Sequence, residues 1–502
     1  MNLRSLTARV TVLATSLVAS AIFVVSEPAG ANAAASPPDY TVIVSSGSTA
    51  PLQLFNNATR APIVPAGAFP AGSQAAATSA DGKLAYTIDQ DGNLLTIDLA
   101  TRAVLQSSPI GNGNRLILSP DGRYLYFNEA DLRIDLVTGD RVGAFGRAWK
   151  SPILSPDGTL AFIPGTGPDG LSNDVVRVGG EQVDQFRIGT YLNAFLRNHD
   201  GSKIWAETSV GLVPFDWPTT HIDRDVSVTG EMAMSPDGST VWVNLSGAEA
   251  VVPIDTATVT ARASIPLPVR STPTRAMDIA VTPDGGTVYA LSLQADRGLL
   301  WLDVIDTKTS TVVTSRSIRG DFGSLAITPD QAPVARLKAT TACPLARTIR
   351  LDASTSTVRY GTIATFDWTF GDGSTASTTT PTTSHQYARA GKYTTTVTET
   401  DSAGTSTTSV GDGRVINLFG GPGARASVTT DIPARCPVAT RPPTTRTTPA
   451  PTPAKPASSP ADELANSGVR STSTLALTIV LISAGSIMIR LGRRHRSTRN
   501  RA

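Results

Sequence analysis

Residues 235–258 read SPDGSTVWVNLSGAEAVVPIDTAT: a tight turn, an alternating strand, a polar turn, and a second strand that closes on an acid. The opening mark recurs. Ser-Pro-Asp-Gly stands at 119–122 and 155–158, Ser-Ala-Asp-Gly at 79–82 and Thr-Pro-Asp-Gly at 282–285. Weaker copies are Asn198-His199-Asp200-Gly201 and Thr328-Pro329-Asp330-Gln331. The marked aspartates Asp81, Asp121, Asp157, Asp200, Asp237, Asp284 and Asp330 are 40, 36, 43, 37, 47 and 46 residues apart. A period near forty with strand-like sequence between the marks predicts a β-propeller, one blade per repeat.

The mark has a mechanical reason. Proline presets φ at a turn corner, aspartate bonds backbone two residues on, and glycine accepts positive φ. The seven aspartates are therefore read as turn residues without chemistry. After each mark comes a first strand (Leu84–Ile88, Tyr124–Asn128, Leu160–Pro164, Lys203–Glu207, Thr240–Asn244, Thr287–Leu291). A second strand often ends on an acid (Leu94–Asp98, Leu132–Asp135, Leu212–Asp216, Val251–Asp255, Leu299–Asp303), and a third leads towards the next mark. Tyr40–Gly67 reads as a repeat without its mark, and Thr328–Gln331 as a mark without its strands. Joined, they complete seven blades over residues 40–331 and remove open sheet edges.

The repeats resemble the YVTN-type β-propeller repeats of secreted and surface-layer proteins, most closely at Val251–Thr258 (VVPIDTAT). The resemblance implies fold and leaves activity open, because propellers host many functions.

Both ends of the chain read as targeting segments. Residues 1–33 have the layout of an export signal: Arg4 and Arg9, the apolar run Val10–Val25, then Ala31-Asn32-Ala33. Near the other end no charge occurs from Ser471 to Ile489, and six arginines follow. Nineteen helical residues span roughly 28 Å, enough to cross a bilayer, and the basic tail then faces the cytoplasm. Just before this segment, Leu464-Ala465-Asn466-Ser467-Gly468 resembles the LAxTG class of sortase sorting signals, with Ser467 where threonine is usual. The layout of residues 464–502 fits a sorted wall protein, with a sortase as partner, or a single-span anchor. Either reading displays the chain at a cell surface. The formal charge of +2 is set by these ends. Without their eight arginines and Glu27, the 43 basic and 41 acidic residues become 35 and 40. No basic patch for nucleic acid stands out.

A second β module begins after Gln331. Trp368-Thr369-Phe370-Gly371-Asp372-Gly373, His385-Gln386-Tyr387 and Gly391-Lys392-Tyr393-Thr394 resemble a PKD domain, an immunoglobulin-like β-sandwich, read over 332–417. Trp368 and Phe370 alternate onto an inner face, and Gly371-Asp372-Gly373 makes a hairpin turn. In surface proteins such domains act as spacers or adhesion modules, which is what the resemblance implies here. Cys343 and Cys436 flank the module. Export permits a disulfide between them, closing about 90 residues and worth roughly 4 kcal/mol in the chain-entropy model; two free thiols are the alternative. Residues 418–463 form an extension and a Pro/Thr-rich stalk, extended where it is polyproline-like.

No catalytic, cofactor-binding or metal-binding constellation emerges, so no cofactor is expected. His199 and His221 are the only histidines in the propeller, and no G-x-S-x-G, H-E-x-x-H or P-loop occurs. Trp205 and Trp242 hold equivalent strand positions and read as packing, whereas Trp149 and Trp217 lie near turns. The chain is thus expected to be all-β with a C-terminal membrane helix. Its expected role is a non-catalytic surface protein that binds an extracellular protein or glycan. The alternatives are a lactonase-like propeller hydrolase with a metal in its central channel, and a structural envelope component.

Overall fold

The computed structural model describes residues 39–434 apart from 48–49, 64–68, 112, 128–130, 146–151, 166–171, 189–191, 223 and 342–346. The export signal, stalk, sorting-like motif, apolar segment 471–489, Cys343, Cys436 and Trp149 lie outside the described residues. The chain divides into Met1–Pro437 and Val438–Ala502, and the description below concerns the first unit. Among the described residues there is no α-helix, and no helix is long and apolar enough to cross a membrane.

Seven antiparallel sheets build the propeller. Blade one joins the two ends of the repeat region: Leu325–Ile327 pairs Thr41–Val44, which pairs Gln53–Asn56. Blade two runs Ala76–Thr78, Leu84–Ile88, Asn93–Asp98, Val104–Pro109, and blade three Leu116–Leu118, Tyr124–Phe127, Leu132–Asp135, Arg141–Gly143. Blade four runs Ile153–Leu154, Leu160–Ile163, Ser172–Arg177, Gln182–Arg187, and blade five Leu192–Arg197, Lys203–Thr208, Leu212–Asp216, His221–Ile222. Blade six runs Gly230–Met234, Thr240–Leu245, Ala250–Asp255, Thr260–Ala261, with Ile265–Pro266 also on Ala250–Asp255. Blade seven runs Arg275–Val281, Thr287–Gln294, Leu299–Asp306, Thr311–Arg319. Each later blade therefore has an innermost strand before its mark, only two or three residues long in blades two to four, which the three-strand repeat pattern does not contain. In blade seven the acid that ends the strand is Asp306, not Asp303. Asp306 Oδ1 accepts the Thr309 amide at 2.8 Å, whereas Asp303 turns inward to Arg270 at 2.7 Å.

Most blade strands are covered on both faces, and alternation sends neighbouring residues into different cores. Val42 and Val44 pack between blades seven and one, while Ile43 packs between blades one and two. Leu116 and Leu118 join blade two to three, and Ile117 joins three to four. Val241 and Val243 face blade five, and Trp242 faces blade seven. Phe195 and Phe215 fill the space between blades four and five, where Trp217 packs against Phe162 and Phe186. Seven such cores follow the sequence round and return to blade one.

The first six marks are wired alike. Ser155 Oγ donates to Asp157 Oδ1 at 2.6 Å, Asp157 Oδ1 accepts the Thr159 amide at 3.1 Å, and Ser155 Oγ accepts the Leu160 amide at 3.0 Å. Asn198 replaces the serine in its copy and accepts the Lys203 amide at 2.9 Å. Burial opposes ionisation of Asp81, Asp157 and Asp237, but the serine hydroxyl and amide bonds prevail and hold these carboxyls below their usual range. Gly122 has φ +73, and a Cβ there would lie 2.4 Å from Ala80 Cβ, so glycine also lets neighbouring marks touch.

The second domain is a two-sheet sandwich. Lys338–Thr341, Thr348–Asp352 and Thr382–Gln386 face Thr375–Thr378, Ile363–Thr369, Gly391–Asp401 and Arg425–Ile432. Trp368, Phe370, Tyr387, Ile349, Leu351 and Val397 form its core. Trp368 Nε1 donates to Thr378 Oγ1 at 3.0 Å, and the Tyr387 hydroxyl to Phe370 O at 2.9 Å. The last strand, Arg425–Ile432, lies past the boundary read at 417. It completes the sheet because residues 410–419 leave the sandwich altogether.

Ile43 is fully buried in the shared blade. Ile43→Ala is expected to cost about 2–4 kcal/mol, read as a lower urea midpoint at unchanged m-value. Ser155→Ala, which unties one mark, is expected to cost about 1 kcal/mol.

Candidate functional site

Polar side chains come together at the propeller channel, at its joint with the sandwich, and at the sandwich turn at Asp372. The channel mouth on the side of the marks is occupied by a hairpin from the second domain. Val410–Gly411 pairs antiparallel with Ile416–Phe419, whose other edge pairs parallel with Asp330–Gln331. The tip bonds the inner strands directly. The Leu154 amide donates to Gly413 O at 2.9 Å and the Arg197 amide to Asp412 O at 3.1 Å. Arg414 donates to Met232 O in blade six, and Ile416 enters the core between blades two and three. Asp412 Oδ1 accepts the Arg414 and Val415 amides at 3.0 and 3.1 Å and fixes the turn.

Arg197, 3% exposed, seals this contact. Its Nε donates to Leu154 O at 2.6 Å, and its Nη1 reaches Asn198 O, His199 O and Gly411 O at 3.0–3.1 Å. Burial pulls its pKa down, against the pull of the Asp412 charge. His199 lines the same contact, and burial lowers its pKa. It therefore serves the joint, and its neighbour Asp200 stays a turn residue, accepting the Ser202 amide at 2.9 Å.

Within the channel a cavity of about 70 Å³ is lined by Asn114, Arg115, Asp278, Arg414 and Asn417 among apolar inner-strand residues. Asp278 accepts the Ile279 and Leu325 amides, each at 2.8 Å. Burial and the charge of Glu231 push its carboxyl up to about 6, against Arg115 and Arg414. Glu207 accepts the Gly230 amide at 3.0 Å, and burial and Glu231 push it up to about 7. Among the described residues no three of His, Cys, Asp and Glu are grouped so as to hold a metal ion.

At the joint, Asp330 departs from the other marks. It is fully buried and accepts from Tyr40 at 3.3 Å and Thr405 at 2.6 Å. Asp401 of the sandwich is also buried and accepts the Ala403 and Thr405 amides on Oδ1 at 3.0 and 2.8 Å. Its Oδ2 has no donor. Burial, a hydrogen bond to Asp330 and the charge of Asp330 push the Asp401 carboxyl up to about 8. Thr405 links the two carboxyls across the joint, its amide on Asp401 and its hydroxyl on Asp330. The repeat pattern predicts one more turn at Asp330, and the structure instead buries it in the joint. The replacement of the usual glycine by Gln331 is the signal that its strand continues elsewhere.

At the sandwich turn, Asp372, Ser374 and His385 have the residue types of a hydrolytic triad but not its geometry. His385 Nε2 contacts both Asp372 Oδ2 at 2.8 Å and Ser374 Oγ at 3.3 Å, while Ser374 also donates to Asp372. A relay needs the two partners on opposite ring nitrogens. His385 instead stacks on Phe370, centroids 4.0 Å apart, and meets the edge of Tyr387. The trio locks the turn of Gly371-Asp372-Gly373. Burial is outweighed by bonds from Ser374 and His385, which hold Asp372 at about 2.

Residues 330–415 match the PKD domain family. Among curated protein sequences none matches the chain. A putative 6-phosphogluconolactonase from Bacteroides fragilis is 15% identical with TM-score 0.43, covering 58% of this chain and 98% of that one. Its Bacteroides uniformis counterpart is 12% identical with TM-score 0.44, covering 58% and 99%. The β-propeller domain of Cps50 (Swd1) from Myceliophteria thermophila is 10% identical with TM-score 0.42, covering 50% and 90%. Likeness of this degree assigns no activity.

An acid whose pKa is higher folded than unfolded keeps its proton longer when folded, so it withdraws stability as pH rises from its unfolded to its folded value. For Asp401 that window runs from about 4 to about 8; Glu207 and Asp278 act with the same sign up to about 7 and about 6. Stability is expected to fall by roughly 1–3 kcal/mol between pH 5 and 8. Asp401→Asn is expected to remove about half of that slope in urea unfolding, most visibly above pH 7 where Glu207 and Asp278 no longer contribute; an unchanged slope would contradict this assignment.

Proposed function

We propose that the chain is a surface-displayed, non-catalytic binding protein whose propeller and PKD domain engage an extracellular protein or glycan as one body. The observation that carries this reading is the hairpin 410–419 seated in the mark-side mouth of the channel. A channel enzyme needs substrate access and a reacting group. Here the mouth is closed by the protein's own backbone, and the polar residues around it are used in holding the closure.

The ends of the sequence support display. An export signal, a Pro/Thr-rich stalk and a sorting-like tail are the parts that lift a rigid head from an envelope. The PKD match fits an adhesion or spacer role. In this reading the sortase-like motif Leu464–Gly468 and residues 471–489 supply the anchor, by wall linkage or by membrane span. Mass spectrometry of the mature protein separates the two: a C-terminus after Ser467 marks sorting, and an intact tail marks a span.

The binding reading is tested by presenting the purified full-length chain to glycan and extracellular-protein arrays and to a panel of lactones and esters with added divalent metal. Saturable binding of a glycan or protein, with lactone turnover at the buffer rate, is expected. Metal-dependent hydrolysis with saturation kinetics would replace this reading with the hydrolase. Self-association on purified wall without another ligand would favour the structural role.

A further inference from the structure

The fourth strand of blade six is broken, and its neighbour in the sheet explains the break. Pro253 stands in the third strand, Ala250–Asp255, with its backbone turned outward, where its carbonyl accepts the Arg262 amide at 2.8 Å. Proline has no N–H to return, so the ladder stops there. The fourth strand survives as two pieces, Thr260–Ala261 and Ile265–Pro266, with residues 262–264 outside both. These residues border a hollow of about 260 Å³ whose other walls include Trp242 and Pro253. A second hollow, of about 300 Å³, shares Trp242, Arg262 and Thr307 with the first and reaches Asp237, Asp284 and, from the sandwich, Ala403. Joined, they form a groove between blades six and seven within the range of ligand sites, about 300–1,000 Å³. Blade five has the same pair, Trp205 beside Pro214, and a fourth strand of two residues, but Trp205 is fully buried. Trp242 is 6% exposed and lines both hollows.

The groove holds donors and acceptors with capacity left over from folding. The Trp242 indole N–H has no acceptor among the described residues and is not sealed from solvent. Asp284 receives the Thr282 hydroxyl and the Gly286 amide on Oδ1, at 2.6 and 3.1 Å, and no donor among the described residues reaches Oδ2. Arg262 gives Nη2 to Asp255 at 2.6 Å and Nη1 to Thr240 at 3.4 Å; it is half-exposed, with further N–H groups open to water. A sugar hydroxyl both donates and accepts, so neighbouring hydroxyls can meet this alternation of partners. An anion instead meets Asp237 and Asp284, with Arg262 already paired to Asp255. A peptide strand added at the break meets the same missing N–H of Pro253. We propose that this groove is a binding site for a neutral glycan, with Trp242 and Arg262 donating to its hydroxyls and Asp284 accepting from them. The proposal rests on the binding reading above, narrows its ligand from protein or glycan to glycan, and places the site outside the channel.

The test presents the detergent-solubilised full-length chain to an array of neutral oligosaccharides, built on glucose, mannose, galactose and N-acetylhexosamines, and of anionic oligouronates. The strongest ligand is then titrated calorimetrically. A neutral oligosaccharide is expected to bind saturably near one per chain, ahead of every uronate. Ser264 is exposed at the edge of the first hollow, and Ser264→Trp, which fills it, is expected to abolish binding. Asp284→Asn keeps an oxygen for the Thr282 and Gly286 bonds and replaces the free acceptor by a donor. It is expected to weaken binding about tenfold at the urea midpoint of the wild type, the loss of one hydrogen bond to a charged group. Tighter binding of uronates in the wild type would overturn the proposal, a comparison that does not depend on how the variants fold. Neutral-glycan binding unchanged in both folded variants would overturn this site and leave the binding reading standing, as would saturable binding of an extracellular protein with no glycan bound. Binding of neither class would overturn both.

Discussion

Two-sided burial of the blade strands is the constraint on which the rest of the unit depends. A strand that feeds one core with its even residues and the next core with its odd ones cannot be satisfied by a single neighbour. Val241, Trp242 and Val243 need blades on both sides. The array must either end on an exposed apolar face or return to its start. It returns, through Thr41–Val44 paired with Leu325–Ile327. The first and last strands of the repeat region are thereby held side by side, and the chain that leaves blade one leaves it at a fixed place, next to the channel.

That exit explains the joint. Asp330 and Gln331 run straight from the closing strand into a parallel pairing with Leu418 and Phe419. The sandwich is tied at its start to the ring and is tied again by its own hairpin. Gly413 has φ +95, and a Cβ there would stand 2.8 Å from Ile153 Cβ, so the tip passes too close to blade four for a side chain. Two ties of different kinds, one backbone ladder and one inserted loop, leave little freedom between the domains. For a protein read as a displayed binding head, this means that ligand contacts on either domain keep a constant geometry.

What could be read from the sequence is what is encoded locally. Ser-Pro-Asp-Gly carries its own turn chemistry, and the structure uses the serine, the aspartate and the glycine each for a separate bond or torsion. Trp368, Phe370 and Tyr387 were legible because alternation places large rings on one face. The short inner strands, such as Ile153–Leu154, escaped because two or three apolar residues show no period. The hairpin escaped for another reason. Ile416-Asn417-Leu418-Phe419 reads as an ordinary sandwich strand, and only the three-dimensional path takes it into the channel. The buried pair Asp330–Asp401 joins residues 71 positions apart, and the raised pKa of Asp401 arises from burial, which no local pattern encodes.

The seating of the hairpin is the point on which the binding reading, the joint and the cavity all turn. Hydrogen exchange of the full-length chain measures it directly, at the amides of Leu154 and Arg197, which donate to Gly413 and Asp412. Slowing on the order of a thousandfold or more, lost together with the protection of the inner strands, is the expected result. Exchange of these two amides near the free rate, in a ring whose other strands stay protected, would mean that the channel mouth stands open, and would contradict the account.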